Sequence, residues 1–183
     1  MPGKTPAEAF DLYAKPLKAV LGCLTRETLL RTPIPDSEDQ NGNALQRFFF
    51  VKSPVLLKDS GLAFDFSHYF RIVWNGETST YRVKTISYTY EIEDEATRHE
   101  ILAFHWEPDS PRSRVKTPHL HLGFALRDKS LPFHNKAHIP SGRVPVEDVV
   151  SFLISDLQVT PLNSDWSAVI AAARHSFMNQ KTW

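Results

Sequence analysis

The sequence predicts an α+β domain: a mostly antiparallel sheet of about five to six strands, with an N-terminal helix and two C-terminal helices packed on it. Three observations predict it. Apolar residues keep helical spacing over residues 5–24, change to the alternation of strands over 47–125, and return to helical spacing over 145–178. The chain has 183 residues, 42% hydrophobic and 23% charged, which is the size and composition of one ordinary folded domain spanning 1–183.

The first element opens with Thr5 and Glu8 in capping-box spacing and with Pro6 suited to the first helical turn. Phe10, Tyr13, Leu17, Val20, Leu21 and Leu24 then recur on one face, and Pro16 is expected to kink or split the helix. Residues 32–43, with two prolines, a glycine and three acids, read as a polar connection. Strands follow at Phe48 to Val51, at Val55 to Leu57, and along an aromatic run from Leu62 to Trp74 that ends in the turn pair Asn75-Gly76. Such a run suits a core better than a base-stacking surface. Ile86, Tyr88, Tyr90 and Ile92 alternate with Thr85, Ser87, Thr89 and Glu91, the period of a half-buried strand. In the next strand Leu102, Phe104 and Trp106 take one face and His99, Ile101, Ala103 and His105 the other. Near the C-terminus, Pro145 with Val146, Val149, Val150, Leu153, Ile154 and Leu157 predicts one helix, with Glu147 and Asp148 at its positive end. Asn163-Ser164 followed by Trp166, Val169, Ile170, Ala173 and Phe177 predicts the second.

Lys+Arg and Asp+Glu both total 21, so the whole chain carries no bias towards nucleic acid. The stretch 98–143 holds eight Lys or Arg against four Asp or Glu, which favours an anionic partner locally. The chain has no apolar run of membrane-spanning length, and residues 1–15 contain acids and prolines where a secretory signal has an apolar core, so a cytoplasmic protein without membrane contact is expected. The single Cys23 excludes a disulfide framework and reads as a buried core residue.

The most informative segment is Thr117-Pro118-His119-Leu120-His121-Leu122-Gly123-Phe124. On a strand, His119 and His121 share one face while Leu120, Leu122 and Phe124 share the other. Pairing this strand with the one before it, apolar face to apolar face, puts His105 beside them. Imidazoles held together can pass protons near neutral pH as the base and acid of a phosphoryl displacement. Arg112, Arg114, Lys116 and Arg143 are the candidate phosphate-binding residues, the last standing just before a helix N-terminus. There is no Walker loop, dinucleotide fingerprint or nucleophile elbow, so no cofactor is expected. The same histidines form an alternative transition-metal ligand set, to which His134 and His138 could add; the flanking Pro132 and Pro140 disfavour the helix that would bring those two together, so both are secondary. His68 and His175 receive no role.

The layout of residues 47–123 resembles the TumE-like toxin family of bacterial toxin-antitoxin modules. The resemblance rests on the aromatic strand at 62–73, Ser87-Tyr88-Thr89-Tyr90, Phe104-His105-Trp106-Glu107 and Pro118-His119-Leu120-His121. It implies a toxin-like protein acting on RNA, a metal-independent ribonuclease with His105, His119 and His121 at its centre and an antitoxin protein as partner. The C-terminal helices are extra to that pattern and are a candidate surface for a homodimer or another partner. A non-catalytic protein or nucleic-acid interaction module and a histidine-ligated metal enzyme are the alternatives.

Overall fold

The computed structural model of the protein describes residues 2–34, 38–111, 113–123 and 137–180. Helix α1 (Pro6–Leu21) starts where expected, with Thr5 at the N-cap and its Oγ1 accepting from the Glu8 N–H at 3.1 Å. It continues as one helix through Pro16, contrary to the expected kink or split. Proline removes only one N–H from the ladder, and the buried Tyr13, Leu17, Val20 and Leu21 anchor both halves to the same core. Helices α2 (Val146–Ser155) and α3 (Trp166–Gln180) follow the predicted apolar positions.

Among the described residues the sheet has eight strands: β1 (Leu29–Pro33), β2 (Gln46–Phe50), β3 (Val55–Leu56), β4 (Leu62–Asn75), β5 (Thr80–Asp94), β6 (Glu100–Trp106), β7 (His119–Leu122) and β8 (His138–Pro140). Every pairing is antiparallel and the order is β1-β2-β4-β5-β6-β7-β8, with β3 beside β4. The count exceeds the five to six expected because β1 and β8 are short edge strands of five and three residues, mostly exposed, whose patterns are too brief to stand out. Asn75-Gly76 does begin the β4–β5 connection, where the Asn75 side chain accepts from the Glu77 N–H at 3.1 Å.

Directly opposed residues of an antiparallel pair share a face. On one face the register aligns Phe66, Tyr90, Phe104 and Leu120, and beside them Phe64, Ile92, Leu102 and Leu122. The helices pack here: Phe10 of α1 stacks between Phe48 and Phe70, and Phe152 of α2 meets Phe104 edge to face. Helix α3 packs on α1 and α2, with Phe177 against Tyr13. Phe64, Phe66 and Phe70 are fully buried, so the long aromatic strand is core. Cys23 is buried too, its Sγ directed at the Ala19 carbonyl. No helix among the described residues is long and apolar enough to cross a membrane.

Candidate metal centre

The sheet face opposite the helices carries the polar residues. One row runs Ser67, Thr89, His105, His119, Pro140 from β4 to β8, and its neighbour runs Asp65, Glu91, Ala103, His121, His138. Alternation along each strand puts the large apolar residues into the core and leaves the histidines here. His105, His119 and His121 therefore share one face, opposite Phe104, Leu120 and Leu122, as the alternation predicts.

Close approach of β6 and β7 depends on Gly123, which follows β7 and donates its N–H to the Ile101 carbonyl at 2.7 Å. A Cβ at this position would lie 1.8 Å from the Glu100 carbonyl oxygen, so alanine cannot be accommodated without moving one of the two strands. Gly123→Ala should lower unfolding stability by about 2 kcal/mol or more in urea titrations, and a neutral result would show that the approach is looser than drawn here.

The imidazoles are close. Ring centroids stand 4.3 Å apart for His105 and His121, 4.8 Å for His119 and His121, and 5.8 Å for His105 and His119. One ring nitrogen from each of the three falls within 4.8 Å of the other two. His119 and His121 are buried, at 3% and 7% exposure, and His105 is half-buried. Helix reasoning had made His138 secondary, yet β8 pairs it with His121, and its Nδ1 lies 3.0 Å from His121 Nε2. It is exposed, so it marks the solvent side of the cluster. The signal available in the sequence was the short Ala137-His138-Ile139-Pro140 alternation, which needs a strand and no helix.

The protons of this cluster are constrained. His119 Nδ1 is 2.7 Å from the Thr117 carbonyl, which can only accept, so that nitrogen carries the hydrogen and in the neutral ring Nε2 presents a lone pair. His121 Nε2 lies 3.0 Å from this lone pair and also 3.0 Å from His138 Nδ1. With neutral rings the His121 Nε2 hydrogen, when present, is shared between two acceptors, and when it is absent two lone pairs face each other across the His119 contact. A cation drawing lone pairs to one point replaces either arrangement. A ligand imidazole whose outer N–H is held by a carbonyl is also the usual second layer of a metal site.

Carboxylates lie one strand away. Glu91 is opposite Ala103, with Asp65 beyond it on β4. Burial, then the charge of Glu100 and a hydrogen bond with it, followed by Asp65 and Glu93, raise the Glu91 carboxyl to about 7.

The expected phosphate-binding residues are not gathered around the imidazoles. The Arg143 guanidinium lies 3.8 Å from the centroid of the Trp106 ring, which is on the helix face of the sheet. Lys116 turns back on its own loop, its Nζ donating to the Ser110 carbonyl at 2.6 Å. Arg114 is exposed in that loop. Arg112 and His134 lie outside the described residues. His68, given no role, is buried in the core. His175 is exposed on α3. Compared with known proteins, the chain matches no family model, no curated protein and no solved structure.

Proposed function

We propose that the protein binds a divalent transition-metal ion through His105, His119 and His121 and that the ion is its functional centre. The observation that carries this reading is the convergence of the three ligand nitrogens, with the outer nitrogen of His119 tied to a backbone carbonyl. An all-imidazole set suits zinc, copper, iron or nickel, and three protein ligands leave a position for water or substrate, the arrangement of catalytic zinc sites. Imidazole ligands are neutral, and the carboxyls of Glu91 and Asp65 stand in the same row of the sheet as His121, Glu91 offsetting charge only in its ionised form. When bound, the ion supplies Lewis acidity, and hydrolysis by an activated water is the reaction class it suits best. His138, exposed and in contact with His121, is placed to fill the fourth position or to exchange protons with solvent. Protein purified without chelator should contain on the order of one ion per chain by elemental analysis. The His119→Ala/His121→Ala double variant should retain less than about a tenth of that. Folded wild-type protein that neither carries nor takes up such an ion would sink the reading.

A metal-free ribonuclease of the toxin type uses the same imidazoles, and the 3.0 Å contact between His119 and His121 favours it, since a proton can pass directly between those rings. RNA cleavage by chelator-treated protein, lost in the same double variant, would select this second reading. Cleavage that needs added metal would select the first.

A further inference from the structure

A second polar cluster, remote from the imidazole face, is enclosed between the helices and the core face of the sheet. His68 is sandwiched there, Nδ1 3.0 Å from Tyr90 Oη and Nε2 3.1 Å from Thr85 Oγ1. Burial lowers its pKa to about 3, so the ring is neutral, with one donor and one acceptor nitrogen, and both are used. In either tautomer the Tyr90 hydroxyl keeps further hydrogen-bonding capacity. Tyr13 reaches in from α1, and its Oη is buried with no hydrogen-bond partner among the described residues. Glu147 enters from the first turn of α2, 4% exposed, and its carboxyl accepts from its own backbone N–H. These side chains, together with apolar groups of all three helices, line a small cavity of ≈ 10 Å³.

A buried hydroxyl without a partner, beside a carboxyl with spare hydrogen-bonding capacity, is costly in a packed core, whereas an internal water bonded to such groups is a regular part of folded proteins. The volume fits one water, for which about 10–15 Å³ is enough.

We propose that this cavity is a binding site for a single water molecule, which bridges Tyr13 Oη, the Glu147 carboxyl and Tyr90 Oη and thereby joins α1, α2 and β5. Water both donates and accepts, so it can serve the hydroxyls together with the carboxyl in either protonation state. An ammonium ion of similar size only donates, so it cannot take up a proton offered by the Tyr13 hydroxyl or by a neutral Glu147 carboxyl. Among the described residues no cationic side chain borders the cavity, and Arg174, whose charge attracts the Glu147 carboxyl, is not part of its wall. The site is independent of the metal reading.

The test uses the full-length wild-type protein in ammonium-free buffer, by high-resolution crystallography and by water-to-protein cross-relaxation in NMR. The expected result is one ordered water within hydrogen-bonding distance of Tyr13 Oη and Glu147, and a long-lived water signal to the Tyr13 and Tyr90 rings that is lost in Tyr13→Phe. A dry cavity in which Tyr13 Oη bonds Glu147 directly overturns the proposal. So does a protected ¹⁵N-ammonium signal that appears on titration with labelled ammonium chloride and displaces the water signal.

Discussion

Zinc added to chelator-stripped protein should raise its thermal unfolding midpoint by about 5–10 °C when present at about a hundred times its dissociation constant. A ligand that binds only the folded state contributes about 2.7 kcal/mol at that excess, and a chain of this size gains roughly 2–4 °C for each kcal/mol. The increment has a local cause. The His119, His121 and His138 nitrogens already lie in 3.0 Å contacts that neutral rings meet only by sharing one N–H or by opposing two lone pairs, and the ion replaces that weak arrangement with direct coordination. The His119→Ala/His121→Ala variant should fold and show no zinc-dependent shift. His138→Ala should keep a reduced one, because His138 is exposed and sits at the edge strand. A midpoint indifferent to zinc in the wild type, or an equal shift in the double variant, would place the ion elsewhere.

The second large effect is a pH dependence seated in the core. Burial is the main cause that raises Glu147 to about 7. Its neutral form therefore stabilises the fold fully below the carboxyl's unfolded value near 4.5, and this contribution is lost as pH rises through about 7. The difference amounts to about 3 kcal/mol. His68 has the opposite sign: burial holds it near 3, so its contribution is complete above about 6.5 and is lost as pH falls towards 3. Between about pH 6.5 and 4.5 the two changes oppose each other, which flattens the wild-type profile. Glu147→Gln removes one of them. In urea unfolding across this range, the variant should gain on the wild type as pH rises, reaching an advantage of up to about 3 kcal/mol at pH 8. The subtraction cancels groups common to both proteins, including Glu91, whose partly solvated carboxyl titrates in the same direction as Glu147. A constant difference between the two proteins from pH 4 to 8 would mean that Glu147 is not neutral in the native core.

Local pattern was a good guide along most elements with one side on the core; on β5 it fails at the register shift beside Phe70, where Thr85 is buried and Ile86 only partly so. Tyr88, Tyr90 and Ile92 alternate along β5, and Val146, Val149, Val150, Leu153 and Ile154 recur along α2, and all of them are buried. The same alternation, carried from β6 to β7, was enough to place His105, His119 and His121 together. Glu147 was misleading for an equally local reason. An acid in a first helical turn normally faces solvent and the helix dipole explains it, but α1 and α3 pack over that turn and enclose the side chain. Pro132 and Pro140 disfavour a helix that would join His134 and His138, which makes His138 secondary in the sequence, whereas three residues of edge strand bring it to His121 without one.

The sequence by itself determined the α+β class, the helices at both ends, the antiparallel middle and the shared face of three imidazoles, because each follows from a period of two or 3.6 residues acting on hydrophobic burial. Tertiary structure alone decided that His138 joins them, that Arg143 stacks on Trp106 on the opposite face, and that Tyr13, His68, Tyr90 and Glu147 border one cavity. Those groups are separated by long stretches of chain and meet only through strand register and helix packing, which no local repeat encodes.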